Sequence, residues 1–391
     1  MWAIRSFAGY ELIEMAQFWF VAVGLLVGVA LFGRPRRLES TSTGEVTVPG
    51  RSPLRIVVPA RNEAASLANL LDDLAIGRPD GADVVVVDDR STDETGDIAR
   101  SYPFVTVVRA EEPPPGWRGK PWACSIGAGR VPELPDPEVL VFLDADVRVV
   151  PGALDELLAE RRAGGVVSVQ PFHRPEGTVE QLSAVFNVVS MMGIGAGGDR
   201  PTGMFGPVVC CTAAEYRSVG GHASVCGAVT EDVALAQRFI EHHVPLRVRL
   251  GGDRISFRMY PTGFAALVEG WTKNMATGAG TISLARSLAV AWWVTAMVYA
   301  AGLAFDAAQG HLDAPGAVTY VLAAATLWWM LRRVGGFRWW VPVLFPVPLA
   351  FFVVVFVRSV WFTYVRRSVT WRGRTIDLSE PATHDAAVET P

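Results

Sequence analysis

Lysine is almost missing from this chain. Of 35 basic residues only Lys120 and Lys273 are lysines, so a sequence that otherwise uses arginine has kept an ammonium at two places. Charge is scarce as well: 19% of the 391 residues are charged against 50% hydrophobic, and mean hydropathy is +0.28. That is too apolar for an ordinary soluble protein and too polar for a transporter, and it fits a soluble domain joined to a few membrane segments. A formal net charge of −4 gives no basic surface and no reason to expect nucleic acid as a partner. Cys124, Cys210, Cys211 and Cys226 include no Cys-x-x-Cys pair and no zinc-ligand spacing, so they read as reduced thiols of a cytosolic domain. No Gly-rich phosphate loop follows the first predicted strand, which argues against a nucleotidyltransferase.

Long apolar runs occur only towards the two ends. The first, residues 16–32, is followed by Arg34, Arg36 and Arg37. A signal peptide carries its charge before the run, so an uncleaved anchor with its C-terminal flank in the cytoplasm is expected. The run is short, and an interfacial helix is the alternative. Runs at 287–305, 316–331 and 339–357 come after the globular part. The loop 306–315 carries Asp306 and Asp313 and no Lys or Arg, and should face outward. The loop 332–338 carries Arg332, Arg333 and Arg338 and should face inward. The last run breaks the pattern. If it crossed, Arg358, Arg366, Arg367, Arg372 and Arg374 would lie outside, and Pro342, Pro346 and Pro348 would interrupt a straight helix. A re-entrant or interfacial segment with a cytoplasmic tail satisfies both facts. The expected organisation is an N-terminal anchor at 1–33, a polar linker at 34–53, a cytosolic globular domain at 54–282, membrane segments at 283–358 and a cytosolic tail at 359–391. Such a chain is a multi-pass protein of the plasma membrane.

Between the apolar ends, strand and helix patterns alternate. Apolar, β-branched runs at 54–58, 84–87, 105–108 and 139–143 predict buried strands, and helical spacing or composition predicts helices at 63–74, 122–128 and 152–162. Ser91-Thr92-Asp93-Glu94 has the form of a capping box. The alternation implies an α/β fold with a mostly parallel sheet covered on both faces, and ligands at the carboxyl ends of its strands.

The chemistry-bearing residues follow those strands. Pro59-Ala60-Arg61-Asn62-Glu63 comes after the first, Asp88-Asp89-Arg90-Ser91 after the second, and Asp144-Ala145-Asp146 after the strand at 139–143. A lone Asp-x-Asp is commonly a solvated turn. Brought to one sheet edge with Asp88 and Asp89, it can place two carboxylates around a hard divalent cation that bridges a diphosphate. Thr230-Glu231-Asp232 precedes a predicted helix at 233–240, where acids complement the helix dipole. A carboxylate at that point can also take a proton from an attacking hydroxyl.

Over residues 54–280 these motifs resemble the family 2 glycosyltransferases of the GT-A fold. The resemblance implies a GT-A nucleotide-diphospho-sugar transferase domain joined to transmembrane helices. It also implies donor binding by Pro59, Arg61, Glu63, Asp88, Asp89, Lys120, Asp144 and Ala145. Asp144 and Asp146 would hold Mg or Mn, and Asp232 would serve as catalytic base, as in inverting members. A narrower resemblance rests on Trp117-Arg118-Gly119-Lys120 with Ala123-Cys124, on Phe205-Gly206-Pro207, on Arg258-Met259-Tyr260-Pro261 and on Gly270-Trp271-Thr272-Lys273-Asn274. These look like the bacterial carotenoid (diaponeurosporenoate-type) and hopanoid-associated glycosyltransferases. That implies UDP-glucose as donor and a lipid or terpenoid acceptor with a hydroxyl or carboxyl end. A carboxylate would need no base, leaving Asp232 to orient it.

Glu231, His222, Trp271 and Lys273 fall on the expected acceptor side. A lone histidine such as His222 is more often structural, and Trp271 reads equally as an interfacial anchor. The Gln-x-x-Arg-Trp sequence that processive members carry near this point is missing, which argues against polymer synthesis. A polyprenyl-phosphate sugar transferase, or another lipid or polysaccharide glycosyltransferase, is the rival reading with the same chemistry. A non-catalytic scaffold is disfavoured by the presence together of Asp89, Asp144, Asp146 and Asp232. The stretch 168–203, Gly- and Met-rich at 191–198, reads as a mobile acceptor-side loop.

Overall fold

A computed structural model describes residues 2–38, 53–129, 131–132, 134–280, 282–311, 313–371 and 374–377. In chain order the central part comprises β1 (Leu54–Ala60), β2 (Asp83–Asp88), β3 (Val105–Arg109), β4 (Val139–Leu143), β5 (Val147–Val149), β6 (Val166–Gln170), β7 (Phe172–His173), β8 (Val208–Thr212), β9 (Leu246–Leu250) and β10 (Ile255–Phe257). The first helix of the chain is α1 (Trp2–Phe32), and those between the strands are α2 (Leu67–Gly77), α3 (Thr95–Arg100), α4 (Gly119–Ala128), α5 (Ala153–Arg161), α6 (Ala184–Ile194), α7 (Ala213–Ser218) and α8 (Glu231–Glu241). After β10 come α9 (Phe264–Ala279), α10 (Leu284–Ala308), α11 (Ala314–Val334), α12 (Trp340–Val343) and α13 (Pro346–Val360).

The apolar runs become the inner strands because every side chain on them must be covered. Val84, Val85, Val86 and Val87 of β2 are all buried, as is all of β4. Among the described residues, seven strands form a sheet in the order β3-β2-β1-β4-β8-β6-β9. Its pairs are parallel except at β8, which runs antiparallel to both β4 and β6. Alternate residues of each strand feed two layers. Ile56, Val58 and Val141 pack with α2 and α5, whereas Val57, Leu140 and Phe142 pack with α8 and Tyr216 of α7. Cys210 and Cys211, adjacent on β8, fall into opposite layers, and all four cysteines are free. The mostly parallel α/β architecture expected from the alternation is present. A small second sheet, β5-β10-β7, lies beside the main one.

Among the described residues, four helices are long and apolar enough to cross a membrane: Met15–Phe32, Leu284–Ala308, Ala314–Val334 and Pro346–Val365. α1 and α10 run antiparallel, with Gln17 accepting from the Tyr299 hydroxyl at 2.6 Å near one end and Gly28 against Trp293 towards the other. Gly24 and Gly28, one helical turn apart, leave room for Ala296 and Trp293 of α10, the close approach that small residues allow between apolar helices. The C-terminus of α1, the N-terminus of α10 and the C-terminus of α11 all reach the central part. Arg34 N–H donates to Gly197 O, Arg286 to Gly193 O, and Gly336 N–H to His173 O. The arginines at 34–37 and 332–338 therefore share the sheet's side, and the loop 306–311 lies at the far end.

Two expectations change. The stretch 168–203 is not a mobile loop: α6 within it is buried, with Phe186, Met191 and Met192 packed among α1, α10, α11 and α13. Its glycines serve contact, since a Cβ at Gly197 would strike Phe32 O, and Gly33 closes α1 at φ +62. Residues 34–38, read as the start of a linker, run along β9, with Leu38 N–H donating to Leu250 O at 2.9 Å. The last run is broken as its prolines lead one to expect, into α12 and α13 parted at Leu344 and Phe345, directly before Pro346. Pro346 and Pro348 lie in the first turn of α13, where a missing N–H costs little.

The last run also turns back. Arg338 at its start donates its backbone N–H to Gln181 Oε1 and its guanidinium to Glu176 O. Its apex, at Val343 and Phe345, touches Tyr320 part-way along α11. At its end Arg358 and Ser359 bond to Thr272 of α9. Both ends therefore lie on the side of the main sheet.

Candidate active site

The carboxyl ends of β1, β2 and β4 open into one cavity of about 2140 Å³. Around it the loops after β1 and β2 are laced together by hydrogen bonds. Asn62 N–H donates to Ser91 Oγ (3.0 Å), Thr92 N–H to Asn62 Oδ1 (2.9 Å), Glu63 N–H to Thr95 Oγ1 (2.8 Å) and Ala64 N–H to Asp93 Oδ2 (3.2 Å). This lacing replaces the capping box expected at 91–94. Ser91 is used by Asn62, and Asp93 accepts from the Thr95 N–H to start α3. Asn62 adopts φ +51 within this crossing, a left-handed conformation that asparagine tolerates.

Of the two adjacent aspartates only Asp89 lines the cavity. Arg61 and Arg90 approach its two oxygens at 3.4 Å each, and Gly119 at the start of α4 lies so close that a Cβ there would sit 2.2 Å from Asp89 Oδ2. Asp88, expected at the donor, does not line the cavity. Its carboxylate is buried and accepts the Ser91 N–H at 2.8 Å, holding the turn from beneath. Pro59, Arg61 and Glu63 do line the cavity, with Asp144, Ala145 and Asp146 on the turn from β4 to β5.

Lys120, on the first turn of α4, bridges two elements: its Nζ lies 2.7 Å from Asp144 Oδ1 and 3.3 Å from Glu231 Oε1. Burial opposes its charge, but Asp144 and Glu231 outweigh that and hold the ammonium well above its usual range. Lys273 arrives from α9 and faces the same group. Burial lowers its pKa, with Glu231 and Asp232 opposing. The two lysines of the chain thus meet around the same carboxylates.

Glu231 and Asp232 open α8, as the pattern indicated. Asp232 accepts the Gly206 N–H at 3.1 Å and the Val233 N–H at 2.9 Å. The adjacent acids divide. Burial and the neighbouring Glu231 charge push Asp232 up to about 6, whereas Glu231, buried but facing Lys120 and Lys273, is held below its usual range. A carboxylate poised near neutrality beside one that stays ionised is an arrangement suited to proton transfer.

His222, expected on the acceptor side, does not line the cavity. It is buried behind Glu231, its Nδ1 2.8 Å from the Tyr216 hydroxyl and its ring on Phe142, and burial pushes it down to about 4. Trp271 is no interfacial anchor. Its ring stacks on Phe186 at 4.6 Å, its Nε1 donates to Ser183 Oγ, and it forms part of the cavity wall.

Two wall residues carried no role in the motif reading. Arg118 donates to Gly227 O at 2.7 Å and faces Glu231. Tyr260 sits at φ +56, a strained conformation for a bulky residue, with its phenol facing Asp146 and its ring on Trp271. Its motif had marked the place, but nothing local in the sequence signals the strain.

The acidic pair Asp144 and Asp146 offers hard oxygen donors suited to Mg or Mn. Among the described residues no three His, Cys, Asp or Glu side chains converge to hold an ion by themselves. The site fits an ion that takes two protein carboxylates and completes its shell with substrate phosphates and water.

The sequence pattern described as Glycosyl transferase family 2 matches residues 55–212. The chain is 30% identical over 371 residues to 4,4'-diaponeurosporenoate glycosyltransferase of Staphylococcus aureus (strain MRSA252), covering 92% of this chain and 96% of that one. The same protein from strain USA300 matches equally. A mannosyltransferase from Pyrobaculum calidifontis, solved with GDP-Man and Mn2+, aligns with TM-score 0.49 and 18% identity over 90% of this chain and 97% of its own. Glucosyl-3-phosphoglycerate synthase from Mycobacterium tuberculosis, solved with Mn2+, UDP-Glc and phosphoglyceric acid, aligns with TM-score 0.38 and 18% identity over 60% of this chain and 81% of its own.

Proposed function

This chain belongs to glycosyltransferase family 2, and from that premise we propose that it transfers glucose from UDP-glucose, with inversion, onto the polar end of a lipophilic, carotenoid-like acceptor. The observation that carries the reading is the meeting of Asp89, Asp144, Asp146, Lys120, Glu231 and Asp232 on one cavity at the carboxyl edge of the sheet. The relatives named for diaponeurosporenoate support the acceptor class.

In this reading Asp89 and Arg61 hold the nucleoside end of the donor, and Asp144 with Asp146 would bind Mg or Mn. The ion, when bound, supplies charge to a diphosphate leaving group. Lys120 adds a fixed positive charge beside Asp144 and keeps Glu231 ionised. Asp232, held in place by the Gly206 and Val233 amides, takes the proton of an attacking acceptor hydroxyl, or orients an acceptor that arrives as a carboxylate. Lys273 and Trp271, from α9, position the acceptor's end.

The purified enzyme incubated with a panel of nucleotide sugars and a total lipid extract should yield a terpenoid that has gained one hexose, seen by mass spectrometry. A hexose on polyprenyl phosphate, or no product with any donor, overturns the reading.

The proposed setting is the plasma membrane with the sheet domain (54–282) in the cytosol, anchored by the segments at 1–33 and 283–358. A cysteine placed at Gly310 should react with an impermeant maleimide in intact cells, and one placed at Arg36 only after permeabilisation. The reverse pattern would put the donor site on the wrong side for a cytosolic nucleotide sugar.

A further inference from the structure

The donor accounts for only part of the cavity. Small-molecule sites run to roughly 300–1,000 Å³, and this one encloses about 2140 Å³. The remainder leads away from Asp232 and Lys273 into the helical layer. Ser287, Val290 and Val294 line it from α10, at the three- and four-residue spacing of one helix face, and Phe352 and Phe356 line it from α13. None of the residues that α10 and α13 contribute is charged. Ala291 and Thr295 belong both to the cavity wall and to the exposed surface of α10. This arm therefore opens sideways, at the surface of α10.

We propose that this arm is a lateral portal that seats the hydrocarbon chain of a membrane-dissolved acceptor, with the acceptor's polar end delivered to Asp232 and Lys273. The assignment rests on the glycosyl-transfer reading above. A long apolar chain leaves lipid for a wall of valine and phenylalanine without passing through water, and only the head enters the polar chamber. The course of the last run creates the arm. Because α13 turns back beside α10 and α9, its Phe352 and Phe356 face the cleft.

The test uses the full-length enzyme in nanodiscs, UDP-glucose as donor, and two acceptors with the same head: a long polyene carboxylic acid and a short prenyl acid. Val294→Trp fills the arm. Val298→Trp, on α10 but outside the cavity wall and 48% exposed, is the control. The expected result is that Val294→Trp lowers the ratio of kcat/KM for the long acid over the short one by about tenfold, the scale of an overpacked site. Val298→Trp should leave the ratio in place. The portal is overturned if neither substitution changes the ratio, if both change it equally, or if Val294→Trp slows both acids alike. Absence of transfer to any acceptor by the unaltered enzyme overturns the glycosyl-transfer reading, and the portal with it.

Discussion

Asp232→Asn should lower turnover by about two to four orders of magnitude, the usual scale for losing a general base, while leaving UDP binding nearly unchanged. Asparagine keeps the side chain's size and can still accept the Gly206 and Val233 amides through its carbonyl oxygen, so α8 should start as before. What is lost is basicity. The pH profile supplies the second readout. Asp232 must be ionised to accept a proton, and its pKa is pushed up to about 6 by burial and by Glu231. Activity should therefore rise with pH through that value and level off above it. The groups facing Asp232 are Glu231 on its own helix, Lys120 from α4 and Lys273 from α9, with Asp144 held through Lys120 and His222 behind. Lys120 carries its charge throughout this range, so the limb belongs to the Glu231–Asp232 pair, and Asp232→Asn should abolish it. Glu231→Gln should be milder in rate, since its neighbour carries the proton, and should shift the limb to lower pH by removing a negative charge beside Asp232. Unchanged turnover in Asp232→Asn would mean that the acceptor reacts already ionised, as a carboxylate can.

Asp146→Ala should weaken donor binding and lower turnover by about two to three orders of magnitude, comparable to losing one preorganised charge-stabilising group. Excess EDTA should abolish transfer. Among the described residues no third carboxylate joins Asp144 and Asp146 to hold an ion, so the protein by itself should bind Mn2+ feebly and the protein with UDP should bind it tightly. Calorimetry of Mn2+ with and without UDP measures this directly, without reference to turnover. Tight Mn2+ binding in the absence of UDP, or full turnover in EDTA, would rule out the shared-ligand arrangement. Donor affinity separates the two substitutions: Asp146→Ala should lower it and Asp232→Asn should leave it nearly unchanged.

Much of this could be read before the fold was known, and the reasons are local. A run such as Val84–Val87 has no polar face, so it belongs to the covered interior of a sheet wherever that sheet lies. Residues just past such runs must sit at the sheet's carboxyl edge, and this is why Asp89, Asp144 and Asp146 could be assigned to one site. The acids of 230–232 matched a helix start. The bare loop at 306–315 and the arginines on either side of the spans matched the arrangement of the helix ends.

Other features depended on contacts between distant parts of the chain. The antiparallel course of β8 is not encoded in its apolar run, because burial on both faces is indifferent to strand direction. α6 was mistaken for a loop, since its apolar surface is covered by spans from both ends of the chain and its flanking glycines serve backbone contact rather than flexibility. Asp88 and Asp89 are chemically identical neighbours, and the turn after β2 sends one carboxylate to its own amides and the other to the cavity. His222 and Trp271 took their places from Tyr216, Phe142 and Phe186, none of which is near them in any motif except Tyr216.

By itself, then, the sequence determined the α/β alternation, the strand-end acids, the family and the membrane segments, all consequences of short-range periodicity and side-chain chemistry. Only the tertiary structure decided that Lys120 and Lys273, far apart in the chain, face one pair of acids, that their surroundings push Glu231 down and Asp232 up, and that the last apolar run turns back to wall an opening. Each of these depends on how α4, α8, α9 and α13 pack, and electrostatic and steric effects act over a few ångströms of space whatever the separation along the chain.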